Sequence, residues 1–321
     1  MAMNIGKDVK LAAQNLRKGE LVGIPTETVY GLAGNALSED AVLKIYAAKN
    51  RPQFNPLILH IAHIDQLNKL GLSLPFKAME LAARFSPGPI TFLVPKSEKI
   101  PDIVTAGTPA VAIRIPDHPL TLELLREIDF PLAAPSANPS GYVSPTTALH
   151  VFEQLGDMVS YILDGGECRV GLESTIISFL GEEPELLRYG GAPLEAIEAV
   201  IGPVKLPEKG YSDNPVAPGM LARHYATAHP LLLGNMNSLL EQHQGKRLAT
   251  ISFREEAKGI PATHQFILSP SGSLEEAAKR LFAAMRMADS MDIDLIIAER
   301  FPEQGLGKAI NDRLNRASTP A

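Results

Sequence analysis

The 321-residue sequence has a single cysteine, Cys168, so it can form neither an internal disulfide nor a multi-cysteine zinc cage. That scarcity suits a reducing compartment, and the thiol reads as a small residue beside a turn. No apolar run approaches the roughly 18 residues that a spanning helix needs. The opening MAMNIGKDVK lacks the apolar core of a signal peptide, so export and membrane insertion are disfavoured and the cytoplasm is the expected location. Aromatic residues make up 6% of the chain, and 30 Lys and Arg face 36 Asp and Glu, for a net charge of −6. Such a molecule repels phosphate polymers and offers few stacking platforms, which argues against stable nucleic-acid binding. Any anion must be held by a local cluster. With 45% hydrophobic and 21% charged residues, and neither low-complexity tracts nor internal repeats, the composition is that of a globular protein.

The length favours two domains, each able to bury its own core. Apolar spacing predicts a helix over residues 8–20, with Val9, Ala12, Ala13 and Leu16 inward and Gly19 as its stop. Further helices are expected at 38–49, 75–85, 119–128, 145–155 and 193–200, several opening on proline or a hydroxyl cap. Strands are expected at 21–25, 56–62, 90–95, 110–116, 131–136, 161–166, 174–180 and 184–189. Several arrive in succession without helices between them, so the first domain, residues 1–202, should be α+β with an open mixed sheet. Residues 203–228 are rich in Pro and Gly and read as a linker, a candidate active-site lid. Residues 229–321 alternate strands with helices at 236–243, 273–291 and 307–317, as in a small Rossmann-like α/β unit. Ser273 with Glu276 carries a capping-box signature for the longest of these helices.

Chemistry-bearing residues gather at strand ends. In GIPTETVYGL (23–32), Thr26 and Thr28 stand two apart, able to address one ligand from one face or to form a hydrogen-bonded turn. Lys49 and Arg51 close a helix, where the helix dipole alone would favour cations, but both also suit a phosphate chain. Asn55 and His60 bracket the next strand. Period two puts Ala110, Ala112 and Arg114 on one face, leaving a guanidinium beside two small residues. A buried arginine needs an anionic partner, either a protein carboxylate or that of a substrate. Ser136, Asn138, Ser140 and Ser144 follow in a turn-rich stretch, with Ser144 and Pro145 reading as the cap and first residue of a helix. The GLEST segment (171–175) opens a strand, and Arg188 closes another before Gly190 and Gly191. In the second domain GLGKAIN (305–311) has Lys308 at a helix start, for which a structural turn is preferred over a phosphate site.

Together these motifs, with PTETVYGL, the Lys49-x-Arg51 pair, RIP at Arg114, the Ser136-x-Asn138 pair, GLEST, LRYGG and the PGM and RHYA of the linker, resemble the YrdC-like family. The likeness covers nearly the whole chain and is strongest to the long two-domain L-threonylcarbamoyl-AMP synthases. The resemblance implies an open twisted sheet with a concave site and a nucleotidyltransferase that joins L-threonine, bicarbonate and ATP with release of pyrophosphate. It further implies Mg²⁺ arriving with ATP, and a product passed to a separate tRNA threonylcarbamoyl transferase complex. Carried over residue by residue, the pattern assigns L-threonine to Thr28, His60, Arg114, Ala134 and Ser174. ATP falls to Lys49, Arg51, Asn55, Ala110, Ser136, Ser144, Arg188 and Tyr225, with Lys49, Arg51, Ser136 and Asn138 as the catalytic set and no protein metal cage. Ala217 and Thr227 depart from the family pattern within the linker. An RNA-binding or regulatory YrdC-like protein without synthase activity is the alternative. The negative net charge and the full set of cations weigh against it.

Overall fold

The computed structural model of the chain describes residues 4–206 and 224–319. Ten strands form the larger sheet: β1 (Ile5–Gly6), β2 (Val22–Ile24), β3 (Gly31–Asn35), β4 (Ile58–His60), β5 (Ile90–Pro95), β6 (Ala110–Arg114), β7 (Leu132–Ala133), β8 (Tyr161–Leu163), β9 (Thr175–Ser178) and β10 (Glu185–Arg188). Their order is β1-β8-β2-β3-β7-β4-β6-β5-β9-β10. The sheet is mixed, as expected: β4 runs parallel to β6 and β5 to β9, while β5 and β6, and β9 and β10, are antiparallel.

Alternation along the strands decides which residues face the core. Leu57, Leu59 and Ile61 enter the main core with Phe92, Val94, Val111, Ile113 and Ile177. The helices Glu39–Lys49, Phe76–Phe85 and Leu194–Ile201 add Val42, Ile45, Leu81 and Ile197 to that core. Each such side chain contributes roughly 1.5–3 kcal/mol on full burial. Ile58 and His60 take the opposite face, where Ile58, Leu93, Ala110, Ala112, Ile176 and Leu187 form a smaller apolar patch. That face carries the site.

Two expectations need correction here. The strand Gly31–Asn35 went unread because two glycines and an asparagine dilute its pattern, yet it pairs antiparallel with both β2 and β7. The helix expected from Pro145 begins at Ala148, capped by Thr147, whose Oγ1 accepts from the His150 N–H. Pro145 is instead tied across the site, its carbonyl accepting from the Tyr30 N–H at 2.9 Å.

The second unit has strands β11 (Leu231–Gly234), β12 (Leu248–Ser252), β13 (Gln265–Ile267) and β14 (Leu295–Glu299), all parallel, in the order β11-β14-β12-β13. Its longest helix, Leu274–Asp289, is capped by Ser273, which accepts from the Glu276 N–H. The reciprocal half of the capping box is absent, because the Glu276 carboxylate accepts instead from Ser269 and Ser271. Val29, Val143 and Leu172 of the first unit share one apolar cluster with Leu281, Phe282, Ile310 and Leu314 of the second, so the two units are joined by a common core. The expected linker is anchored at both ends: Lys205 N–H donates to the Pro184 carbonyl and Ala226 N–H to that of Gly141. Its middle, including Ala217 and most of the expected lid, lies outside the described residues. No described helix is long and apolar enough to cross a membrane.

Candidate active site

A cavity lies on the site face of the large sheet, lined among others by Thr26, Val29, Arg51, Ile58, His60, Arg114, Ala134, Ser136, Glu173, Ser174, Arg188, His224 and Tyr225. Parallel pairing of β4 with β6 sets His60 beside Arg114. Ser174 enters at the start of β9. A bulge between Leu186 and Arg188 brings Arg188 opposite Ile176, on the site face. Three guanidiniums, from Arg51, Arg114 and Arg188, thus converge on one cavity from three separate segments.

Each is held by the backbone around it. Arg51 donates to the Asn55 carbonyl at 3.0 Å, the Asn55 side-chain oxygen at 2.6 Å and the Pro56 carbonyl at 2.9 Å. Arg188 donates from Nε to the Ser174 carbonyl at 3.0 Å and from Nη2 to the Ser174 hydroxyl at 3.1 Å, while Thr91 shares a 2.7 Å hydrogen bond with that hydroxyl. Burial pulls both Arg51 and Arg188 down to about 10, which leaves them cationic at neutral pH. Arg114 meets a protein carboxylate, Glu27, at 2.7 Å, the first of the two partners foreseen for it. The room expected beside Ala110 and Ala112 is taken by Ile58, Leu93, Ile176 and Leu187, so Ala110 belongs to that apolar patch and does not line the cavity.

The remaining predicted residues divide. His60, Ala134, Ser136, Ser174 and Tyr225 reach the cavity wall. Lys49 does not: its ammonium is buried and donates to the carbonyls of Ser136 and Asn138, tying the Ser-x-Asn turn to the helix before it. Burial, and then neighbouring Arg51, depress its pKa well below the usual lysine range. Asn55 orients Arg51, and Asn138 bridges its own loop by donating to the Pro139 and Tyr142 carbonyls. Thr28 hydrogen-bonds to Thr26 at 2.8 Å, and Thr26 donates to the Val29 carbonyl. The segment is therefore a hydrogen-bonded turn that presents Thr26 to the cavity, with Thr28 behind it. Ser144 caps no helix, because its hydroxyl donates to Glu173 at 2.6 Å. In the second unit Lys308 is engaged by Glu195 at 2.6 Å, as a structural turn requires.

Two imidazoles in the wall are neutral. Burial, reinforced by Arg114, lowers His60 to about 3, and burial lowers His224 to about 3 as well. Tyr225 is fully buried with φ +63°, stacked on Phe282 and edge-on to His224. Burial alone would raise Glu173, yet Arg313, then Arg188 and the Ser144 hydroxyl, hold it at about 2. Gly190 makes the turn around Glu173 possible, since a Cβ there would sit 2.4 Å from the Glu173 carbonyl oxygen. Among the described residues no cluster of His, Cys, Asp or Glu is fit to hold a metal ion. The arrangement suits binding of anions in a sheltered pocket, with no nucleophile and base in contact.

Glu173, His224 and Val29 were not singled out beforehand. Glu173 lay within a motif whose serine drew the attention, and His224 gains meaning only from the second unit packed behind it.

Residues 14–190 match the Sua5/YciO/YrdC family model, described as telomere recombination, and residues 192–319 match that of the threonylcarbamoyl-AMP synthase C-terminal domain. The threonylcarbamoyl-AMP synthase of Bacillus subtilis is 46% identical over 96% of this chain and 92% of its own length. That of Pyrococcus abyssi is 44% identical over 97% and 94%. The crystal structure of P. abyssi Sua5 complexed with L-threonine superposes with a TM-score of 0.92 at 41% identity, covering 99% of this chain and 97% of that one.

Proposed function

We propose that this chain, which belongs to the Sua5/YciO/YrdC family in its two-domain form, joins L-threonine, bicarbonate and ATP into L-threonylcarbamoyl-AMP and releases pyrophosphate. The observation that carries the reading is the convergence of Arg51, Arg114 and Arg188 with two neutral histidines in one cavity. Full-length relatives bearing the synthase name, and a solved relative holding L-threonine, support it.

The chemistry asks little of the side chains beyond binding and alignment. Bicarbonate splits into carbon dioxide and hydroxide, threonine's neutral amine adds to the carbon dioxide, and the proton lost from nitrogen joins the hydroxide as water, leaving a carbamate that carries an anionic oxygen. That oxygen attacks the α-phosphorus of ATP; the bond to the bridging oxygen breaks, and pyrophosphate leaves. Alignment and charge neutralisation supply most of the acceleration in such transfers. Arg114, beside His60, takes the threonine carboxylate, while Ser174 and the backbone at Ala134 fix the rest of the amino acid. Arg51 and Arg188 face the phosphates with the Ser136 hydroxyl, and Lys49 acts through the turn it anchors. Neutral His60 and His224 do not compete for the anions as fixed charges. Carbamate and mixed anhydride both decompose in water, and buried Tyr225 and His224 shelter them.

Mg²⁺ would arrive with ATP in this reading, since Glu173 is the one carboxylate among the described residues lining the cavity and it is paired with Arg313. When bound, it would neutralise phosphate charge. The product is passed to a separate tRNA-modifying transferase, as the family pattern implies; the net charge of −6 argues against stable tRNA binding by this chain itself. The test is pyrophosphate release from ATP and bicarbonate, with and without L-threonine. Strict dependence on threonine is expected, and release that ignores threonine overturns the substrate assignment.

A further inference from the structure

A side chain of the second unit, Arg313, touches Glu173 of the cavity wall without lining the cavity itself. Arg313, on the helix Gly307–Ala317, is fully buried and donates from Nε and Nη2 to one oxygen of Glu173, at 3.1 and 3.0 Å. Its Nη1 donates to the Tyr189 carbonyl at 2.6 Å and to Asp312 at 2.8 Å, and its guanidinium lies over the Tyr225 ring, 5.3 Å from the centroid. Ser144 takes the other Glu173 oxygen. Both Glu173 oxygens therefore have partners, Arg313 on one and Ser144 on the other.

On the cavity side stands Arg188, bonded to both the carbonyl and the hydroxyl of Ser174, the residue directly after Glu173. Two guanidiniums thus grip consecutive residues of one turn, one from each unit. They also share the carboxylate electrostatically, because Arg313 and then Arg188 are the charges that keep Glu173 ionised. A buried carboxylate that loses one cation turns to the nearest other, since leaving it unpaired costs more than any rearrangement of a side chain. A polyphosphate entering the cavity would then meet an Arg188 already bound to a carboxylate.

We infer that Arg313 is a positioning residue for the nucleotide: by holding Glu173, the second unit keeps Arg188 directed at Ser174 and at the anion, and so sets the charge of the ATP site. The inference rests on the proposed assignment of ATP to this cavity. It gives the second unit a defined task, distinct from covering apolar surface.

Three variants test it, Arg313→Met, Glu173→Gln and the two combined, each assayed for the KM of ATP, the KM of threonine and the melting temperature. Loss of one charged hydrogen-bonding partner corresponds to roughly a tenfold effect. Arg313→Met should raise the ATP KM by about that factor or more, with the threonine KM moved by less than about threefold. Adding Glu173→Gln should return the ATP KM to within about threefold of wild type, because the competing charge is gone. A purely structural Arg313 would change the melting temperature without this split or rescue. Equal rises in both KM values, or a double variant as impaired as Arg313→Met, overturns the inference. Should Arg313→Met fail to fold, the charge-neutral double variant decides alone: an ATP KM near wild type supports the inference, and roughly a tenfold rise contradicts it. Wild type in the same assay separates the two levels, since absent threonine-dependent turnover there refutes the function itself, and turnover with an indifferent Arg313→Met refutes only this step.

Discussion

Nη2 of Arg114 lies 2.7 Å from Oε1 of Glu27, with both side chains almost wholly withdrawn from solvent. The other Glu27 oxygen accepts from the Asp117 N–H at 3.0 Å. The carboxylate in PTETVYGL is thereby the ion-pair partner of a guanidinium that arrives from a strand some ninety residues on and whose Nε donates to the Gly88 carbonyl at 3.3 Å. For a bound amino acid this means a cation held at the cavity wall before the ligand arrives. Arg114→Ala should raise the threonine KM by about tenfold or more while the ATP KM moves far less. It should also destabilise the fold by about 3–5 kcal/mol, because Glu27 is left buried without its partner. Unchanged threonine affinity, measured by calorimetry, would contradict the assignment.

Lys49 acts at one remove. Its ammonium binds the carbonyls of Ser136 and Asn138, so Lys49→Met should loosen the Ser-x-Asn turn, costing about 1.5–3 kcal/mol for each charged hydrogen bond lost. Hydrogen exchange should quicken across residues 134–142 and the ATP KM should rise. A variant with weakened ATP binding but unaltered exchange would mean that Lys49 meets the phosphates directly.

The two neutral histidines make a pH prediction. In the unfolded chain each titrates near 6.5, and in the native protein near 3. The unfolded state therefore binds more protons as the pH falls between those values, and the stability these rings contribute, fully present above 6.5, is lost progressively down to about 3. Urea unfolding at pH 5 should give about 2 kcal/mol less stability per histidine than at pH 7.5. His60→Gln should flatten that dependence. Equal stability at the two pH values in wild type would show that these rings are protonated in the fold.

Removal of everything after Gly202 bares Val29, Val143 and Leu172, which lie at the core shared by the two units, and removes Tyr225 and Arg313 from the site. Fragment 1–202 should bind a hydrophobic dye, self-associate, and lose pyrophosphate release. A monodisperse fragment with full activity would show the second unit to be dispensable.

Much of this was legible in the chain. Period two in ITFLVP and AVAIR gave β5 and β6 nearly to the residue, and the apolar stripe Val9, Ala12, Ala13, Leu16 gave the first helix. The converging cations Arg51, Arg114 and Arg188 were each visible as polar residues at the ends of apolar segments. What stayed hidden depends on contacts between distant segments. Pattern alone did not say whether Arg114 would meet a protein or a ligand carboxylate, nor that Pro145 is tied to Tyr30 and cannot start a helix. The space beside Ala110 and Ala112 is filled by side chains of neighbouring strands, which no single segment reveals. Arg313 had a signal: it occupies the inward stripe with Ala309, Ile310, Leu314 and Ala317, and an arginine on such a stripe asks for a buried anion.

The most direct measurement is the identity of the product. The protein incubated with ATP, L-threonine and carbon-labelled bicarbonate, quenched early and analysed by mass spectrometry, should yield an adenylate that contains both the threonine skeleton and one labelled carbon, in step with pyrophosphate. An adenylate of threonine without the labelled carbon, or pyrophosphate with no threonine-bearing adenylate, would contradict the account.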